Sequence, residues 1–211
     1  MERNIWKGLY MALENILGIT NSAELARAEE KISKTKVLEL FEKGLLDQSE
    51  VGTFKGLAHI HEYLFEEIYD FAGKMRTVNI AKGRFRFAPV MYLGAALENI
   101  SKMPQSTFEE IIEKYVEMNL ANPFREGNGR STRIWLDAIL KKELGQVVDW
   151  SKVDKGDDLL AMERSPIKDI DQVPAESGPN RPCERPRGYR KGIDQNDHYQ
   201  GYNVFKTENL Q

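Results

Sequence analysis

Apolar residues recur at helical spacing along most of the chain, and they alternate over only one short stretch. Residues 22–43 present one apolar face between Ser22, which suits a helix N-cap, and Gly44, which suits a helix stop. Residues 53–72 repeat the pattern, with Gly73 as the next stop. The spacing therefore predicts two helices in the first third of the chain.

Two more helices are predicted in the middle of the chain, separated by a polar stretch. Residues 107–120 open with Thr107 at the start of a capping-box pattern. Pro123 ends this helix because proline disfavours helical geometry at the residue before it. A further helix is predicted over residues 130–144, terminated by Gly145. The predicted fold class is mainly α.

The alternating stretch lies within residues 76–89. Gly83 separates two short arms, and each arm has apolar residues at every second position, as at Ile80 and Phe87. This pattern predicts a small β-hairpin, or flap. A lone hairpin is marginally stable, so we expect the flap to lie against the helices.

Charge and length narrow the range of functions. The 211 residues suit one domain with an appendage, and 30 basic against 33 acidic residues give a net charge of −3, which disfavours a nucleic-acid binder. No apolar run approaches the ~18–20 residues of a membrane span, and no signal peptide is apparent. Cys183 is the single cysteine and cannot form an internal disulfide. A cytoplasmic protein without membrane or nucleic-acid contacts is the expectation.

The end of the chain differs in composition. Residues 171–190 hold four of the eight prolines, between Pro174 and Pro186, together with several arginines. This composition predicts a solvated linker, and a basic contact strip is the alternative interpretation.

The chemistry concentrates in residues 122–133, which we call the motif loop. Glycine and asparagine residues directly before a helix allow backbone amides to converge on an anion, and the helix N-terminus adds partial positive charge. Two arginines three apart sit in the first helical turn, and a carboxylate adjoins the loop. The residues concerned are Glu126, Gly127, Asn128, Gly129, Arg130 and Arg133. The pattern fits a phosphate chain with Mg²⁺; the alternative is a tight corner with solvated arginines in a helical domain that binds no ligand.

The motif loop resembles the signature of the Fic family, His-x-Phe-x-(Asp/Glu)-Gly-Asn-Gly-Arg-x-x-Arg, at every fixed position except the first. The resemblance extends over roughly residues 5–170 and includes the predicted flap. It implies a mainly α, Fic-type helical bundle with a small β-hairpin flap. The implied organisation is an N-terminal helical part (1–52), a Fic core (53–170), the Pro-rich linker (171–190) and a C-terminal inhibitory-helix remnant (191–211).

The resemblance also implies an activity: transfer of AMP from ATP to a Tyr, Ser or Thr hydroxyl of a target protein. Phosphate and phosphocholine transfer occur among relatives, so the transferred group is left open beyond AMP. By the same resemblance, Glu126 holds Mg²⁺, Phe124 anchors the loop in the core, and Arg133 binds the γ-phosphate. Gly127, Asn128, Gly129 and Arg130 hold the phosphate chain. The flap residues Ile80, Lys82, Gly83 and Phe87 align an extended segment of the target.

Asn122 occupies the position of the family's catalytic histidine. A carboxamide cannot take a proton near neutral pH, and loss of a positioned base typically costs ~10²–10⁴ in rate. His59 and His61 are interpreted as core or surface histidines, because residues two apart on a helix face different directions. Natural divergence, an engineered substitution and an error in the recorded sequence are all open explanations for Asn122.

The C-terminal segment departs from the family as well. Its inhibitory pattern, (Ser/Thr)-x-x-x-Glu-(Gly/Asn), here has Asn196 first and Gln200 in place of the glutamate. A neutral amide forms no ion pair with Arg133, so we expect weakened inhibition. The sequence thus predicts an impaired protein adenylyltransferase; the alternative is a catalytically inactive ATP-binding or protein-interaction module of the same fold. Whether the chain is an enzyme, which target it modifies and whether it forms a homo-oligomer stay open.

Overall fold

The computed structural model describes residues 12–48, 50–82 and 85–150, together with the backbone of Asn203–Phe205. The described helices are α1 (Ser22–Glu42), α2 (Phe54–Phe65), α3 (Val90–Lys102), α4 (Phe108–Ala121) and α5 (Asn128–Leu144), with a 3₁₀ turn at Leu45–Gln48. The strands are β1 (Asn79–Lys82), β2 (Phe85–Arg86) and β3 (Asn203–Phe205). The mainly α fold with a small flap is as predicted. None of the described helices combines the length and apolar character that a membrane span requires.

Local capping signals set the helix ends. Asn21, rather than Ser22, caps α1 by accepting hydrogen bonds from two backbone amides of the first turn. Thr107 and Glu110 form the predicted capping box of α4. Gly145 ends α5 in the left-handed conformation, with φ of 68°. These ends depend on few neighbouring residues, so the sequence predicts them to within two positions.

Two helices differ from the sequence-based expectation. The α2 helix ends at Phe65 rather than continuing toward Gly73, and the chain then passes through turns that bury Ile68 and Tyr69. The α3 helix was not predicted, although Leu93 and Leu97 are buried at helical spacing. The helical spacing of Leu93, Leu97 and Ile100 is present in the sequence, so this helix is an omission of the prediction.

The core forms where α5 packs against α2 and α4, and α1 packs on α2. Trp135 of α5 and Phe65 of α2 are fully buried there, and Leu25 and Val37 of α1 join the same apolar cluster. The motif loop connects α4 to α5, so it begins and ends in this core. The packing therefore holds both ends of the loop rigidly.

The flap is a hairpin of β1 and β2, as predicted, and it lies against the helices. The backbone N–H of Ala88 donates to Leu120 O (3.1 Å) at the end of α4. A third strand, β3, pairs antiparallel with β1, so the sheet order is β2-β1-β3. Thus three residues of the predicted inhibitory-helix remnant form a strand, whereas Asn196, Gln200 and the linker at 171–190 lie outside the described residues.

Candidate functional site

The end of α4 positions Asn122 at the entrance to the motif loop. Its backbone is left-handed, with φ of 47° and ψ of 67°, and its N–H donates to Met118 O (3.0 Å). Asparagine tolerates this conformation better than most residues. The side chain is buried, and its Nδ2 has no hydrogen-bond partner among the described residues. A buried N–H donor without an acceptor costs free energy. An oxygen atom of a bound ligand would supply the acceptor that Asn122 Nδ2 lacks.

Asn128 closes the motif loop through its side chain. Its Oδ1 accepts from Phe124 N, and its Nδ2 donates to Phe124 O, both at 2.8 Å. Phe124 is fully buried and stacks on the His61 ring, with centroids 3.8 Å apart. The Asn128 side chain is therefore committed to the shape of the loop, and its backbone is what this residue can offer a ligand.

Gly127 begins α5 in a conformation that few other residues adopt. Its φ is +76°, and a Cβ at this position would lie 2.5 Å from the Phe65 ring. As a glycine, the N-cap residue Gly127 offers no side chain to cap the helix. The N-terminal N–H groups of a helix attract anions, because they are unpaired and the helix dipole is positive there. The start of α5 thus has the geometry of an anion-binding turn.

Glu126 is the acidic residue of the loop, and its backbone and side chain are both held. Its carboxylate Oε1 accepts from Gly127 N (2.9 Å), and its carbonyl O bonds to His61 Nε2 (2.8 Å). Among the described residues no group of three or more metal-ligating side chains occurs. Mg²⁺ commonly binds one or two protein carboxylates together with substrate phosphates. A single carboxylate beside an anion-binding turn fits this arrangement.

His61 supports the loop from α2. Its Nδ1 accepts from Gly73 N (2.9 Å), so its Nε2 carries the hydrogen and donates to the Glu126 carbonyl. Burial lowers the pKa of His61 to about 4, which keeps the ring neutral near pH 7. His61 is therefore a core histidine that holds the backbone of Glu126. His59 on the same helix is exposed, as its position two residues away predicts.

The two arginines of the first turn have different neighbours. Arg130 forms an ion pair with Glu29 of α1, donates to Ser33 Oγ (3.1 Å) and lies over the Phe65 ring. Arg133 is half-buried, and its guanidinium carbon lies 5.6 Å from the Trp150 ring centroid. Sequence spacing places both on the first turn but does not indicate Glu29, which lies about a hundred residues earlier.

Arg76 links the flap to the end of α4, a role that the sequence patterns did not indicate. Its side chain donates to four backbone carbonyls: Asn122 (2.8 Å), Ala121 (3.1 Å), Val78 (2.7 Å) and Ala88 (2.5 Å). Burial lowers the pKa of Arg76 to about 10, so the guanidinium stays protonated near pH 7. One buried cation thereby fixes the flap beside Asn122.

The four flap residues that are expected to contact a target differ in the exposure of their side chains. Ile80 and Phe87 are 1% and 9% exposed, so their side chains pack inward. Lys82 is half-buried, and Gly83 lies outside the described residues. Any contact of an extended target segment with these strands would therefore rely on backbone groups and on Lys82.

A family model and several known proteins match the part of the chain that contains the motif loop. Residues 53–140 match the family model described as Fic/DOC family. The chain is 30% identical over 154 residues to protein adenylyltransferase VbhT of Bartonella schoenbuchensis, covering 67% of this chain and 31% of VbhT. It is 28% identical over 176 residues to probable protein adenylyltransferase y4lH of Sinorhizobium fredii, covering 78% of this chain and 88% of y4lH. The chain thus spans about a third of the length of VbhT and most of y4lH.

Solved structures share the fold. The crystal structure of BepC from Bartonella tribocorum, with bound AMPPNP, superposes with a TM-score of 0.61 at 16% identity, covering 95% of this chain and 99% of BepC. At 16% identity, this superposition shows that the two proteins share a fold. The family match spans the motif loop and the flap, and VbhT is 30% identical over 67% of this chain, so the chain belongs to the Fic/DOC family.

Proposed function

We propose that the chain is a Fic-type protein adenylyltransferase whose activity is impaired by Asn122. The observation that carries the proposal is the start of α5, where Gly127 makes a left-handed turn and, being a glycine, offers no side chain to cap the helix. Such a turn binds phosphate oxygens. The named relatives VbhT and y4lH are a protein adenylyltransferase and a probable one. ATP is therefore the nucleotide we assign to this site.

The residues of the motif loop divide the work of binding. The backbone N–H groups of Asn128 and Gly129 would donate to the phosphate oxygens, while Gly127, whose N–H already donates to Glu126 Oε1, would shape the turn. Arg133 would add positive charge for the γ-phosphate. Glu126 would hold Mg²⁺, which neutralises phosphate charge when bound. The contacts that His61 and Asn128 make inside the loop support this assignment, because they fix the backbone before any ligand arrives.

The proposed reaction forms a bond between a target hydroxyl oxygen and the α-phosphorus of ATP. The bond from that phosphorus to the bridging oxygen breaks, and pyrophosphate leaves. The hydroxyl proton must go to a base, and Asn122 offers only an amide. Asn122 Nδ2 can donate a hydrogen bond to an oxygen but cannot accept the proton. Proton removal therefore falls to water, and we expect a rate ~10²–10⁴ below that of a histidine-bearing site.

The target is a protein with a Tyr, Ser or Thr hydroxyl on an extended segment. Such a segment would lie along the β2 edge of the flap, held by backbone pairing, because β3 occupies the other edge of β1. The inhibitory role of Asn196 and Gln200, a homo-oligomer and the cytoplasmic location stay predictions from the sequence.

Restoring the base tests this proposal. Asn122→His and the unchanged chain are incubated with Mg²⁺ and ATP labelled at the α-phosphate, and labelling of the chain itself and of added proteins is followed. We expect the histidine variant to label at least ~10²-fold faster. A variant that binds ATP in calorimetry but transfers no label would contradict the transferase proposal, and absence of ATP binding would contradict the whole assignment.

A catalytically inactive ATP-binding module is the second candidate. It is favoured by the buried Asn122, because a carboxamide cannot accept a proton. The buried His61 offers no replacement, since both of its ring nitrogens are engaged by Gly73 and Glu126. This candidate predicts ATP binding by calorimetry without pyrophosphate release. Steady release of pyrophosphate from the unchanged chain would exclude it.

A further inference from the structure

A buried carboxylate on α1 reaches the motif loop from a distant part of the sequence. Glu29 is 7% exposed and forms an ion pair with Arg130, the first arginine of α5. The hydroxyl of Tyr69 donates to the second oxygen of the same carboxylate. Ser33, one turn further along α1, accepts from Arg130 at 3.1 Å. Both carboxylate oxygens and two terminal nitrogens of the guanidinium are therefore engaged.

This contact continues to the phosphate-binding turn. The Arg130 guanidinium lies 4.8 Å from the centroid of the Phe65 ring. The Phe65 ring also lies directly against Gly127, since a Cβ there would come within 2.5 Å of it. The path from Tyr69 through Glu29, Arg130 and Phe65 thus ends at the left-handed turn of α5.

The electrostatics of this arrangement call for the carboxylate. A cation in the first turn of a helix opposes the helix dipole, and a guanidinium that is largely buried needs a counter-charge. Glu29 supplies that charge from outside the helix. Without this charge, the Arg130 guanidinium would leave the Phe65 ring and turn toward solvent. The Phe65 ring would then pack less tightly against Gly127.

We infer that Glu29 is a positioning residue of the nucleotide site: it holds Arg130, and through Phe65 the phosphate-binding turn, in the conformation that receives a triphosphate. The inference rests on the proposed function. Arg130 then serves the site through the shape of the turn rather than as a direct ligand of phosphate. Helix α1 is accordingly part of the nucleotide site.

A double-mutant cycle on ATP affinity tests this role. Glu29→Gln removes the charge, and Glu30→Gln is the matched control, because Glu30 pairs with Lys34 on the partly exposed side of α1. Calorimetry with Mg²⁺ and ATP should show Kd raised at least fivefold by Glu29→Gln and less than twofold by Glu30→Gln. In an Arg130→Gln background, Glu29→Gln should change Kd less than twofold, because the cation through which Glu29 acts is gone.

Other outcomes would overturn the inference. Unchanged Kd, equal weakening in both backgrounds, or tighter ATP binding by Glu29→Gln would each do so, the last because it would mean that Glu29 restrains a direct phosphate ligand. If Glu29→Gln does not fold, as judged by circular dichroism, Tyr69→Phe provides the milder test, with a Kd at least twofold higher expected and an unchanged Kd contradicting the role. Failure of the unchanged chain to bind ATP would contradict the proposed function instead.

Discussion

His61 is a single side chain whose protonation state affects the motif loop. Its Nδ1 must be unprotonated to accept from Gly73, while its Nε2 holds the carbonyl of Glu126. Burial between Phe124 and Phe65 disfavours the charged ring. The backbone next to the candidate metal ligand therefore depends on a neutral imidazole.

Acid should destabilise the protein through His61. Its pKa is about 4 in the folded chain and about 6.5 unfolded, so the unfolded state binds the extra proton between these values. This contribution is fully present above pH 6.5 and is lost as pH falls toward 4, by roughly 3 kcal/mol in total. Urea unfolding at several pH values between 7.5 and 5 measures the part of this loss that falls within that range.

The matched variants are His61→Gln and His59→Gln on the same helix. The glutamine at 61 removes the titrating group, so its free energy of unfolding should fall less steeply between pH 6.5 and 5 than that of the unchanged chain. The glutamine at the exposed position 59 should leave the slope as it is. Parallel pH profiles for the unchanged chain and His61→Gln would contradict this prediction.

Arg76 joins two elements of the fold, the flap and the C-terminus of α4. Helix ends leave carbonyl groups without partners, and here Ala121 and Asn122 both receive hydrogen bonds from one guanidinium. Val78 and Ala88, on either side of the hairpin, receive its other hydrogen bonds. The position of the flap relative to Asn122 therefore depends on a cation that neither element predicts alone.

Arg76→Met should lower the free energy of unfolding by roughly 3 to 5 kcal/mol, because it leaves several buried carbonyls without a donor. Arg76→Lys keeps the charge with fewer donors and should lose about half as much. Arg86→Met is the control, since Arg86 is exposed on the same flap. Urea denaturation compares the three, and a loss at Arg76 no larger than at Arg86 would contradict the linking role.

Across the whole molecule, segments distant in sequence meet around the motif loop and the flap. The first helix supplies Glu29 to Arg130, and the third strand lies on the edge of β1 with Ala81 opposite Asn203. Ile80 O accepts from Phe87 N, so by alternation the N–H of Ala81 points toward β3. The flap edge nearest β3 is thereby covered by the chain's own C-terminal residues.

Removing residues 203–211 should expose that edge. Hydrogen exchange of the Ala81 amide should speed up at least tenfold, because its partner strand is gone. The Ile80 amide faces β2 and serves as the internal control, with less than a threefold change expected. Equal exchange at Ala81 with and without the segment would contradict the pairing of β1 with β3.

Features that depend on a few consecutive residues could be predicted from the sequence. The capping box at Thr107, the stop at Gly145, the hairpin around residues 76–89 and the motif loop all follow from local turn and capping chemistry. The family resemblance rested on the same local pattern. Apolar spacing alone was less reliable: the prediction missed α3, although Leu93 and Leu97 lie at helical spacing, and it extended α2 beyond its end at Phe65.

Contacts between distant residues needed the folded chain. Glu29 beside Arg130, His61 on the carbonyl of Glu126 and the pairing of β1 with β3 join residues between 65 and more than 100 positions apart. A buried glutamate or histidine has no spacing rule that names its partner, because burial and charge pairing are properties of the packed core. Local chemistry thus specified the phosphate-binding turn, while packing selected the side chains that hold it in place.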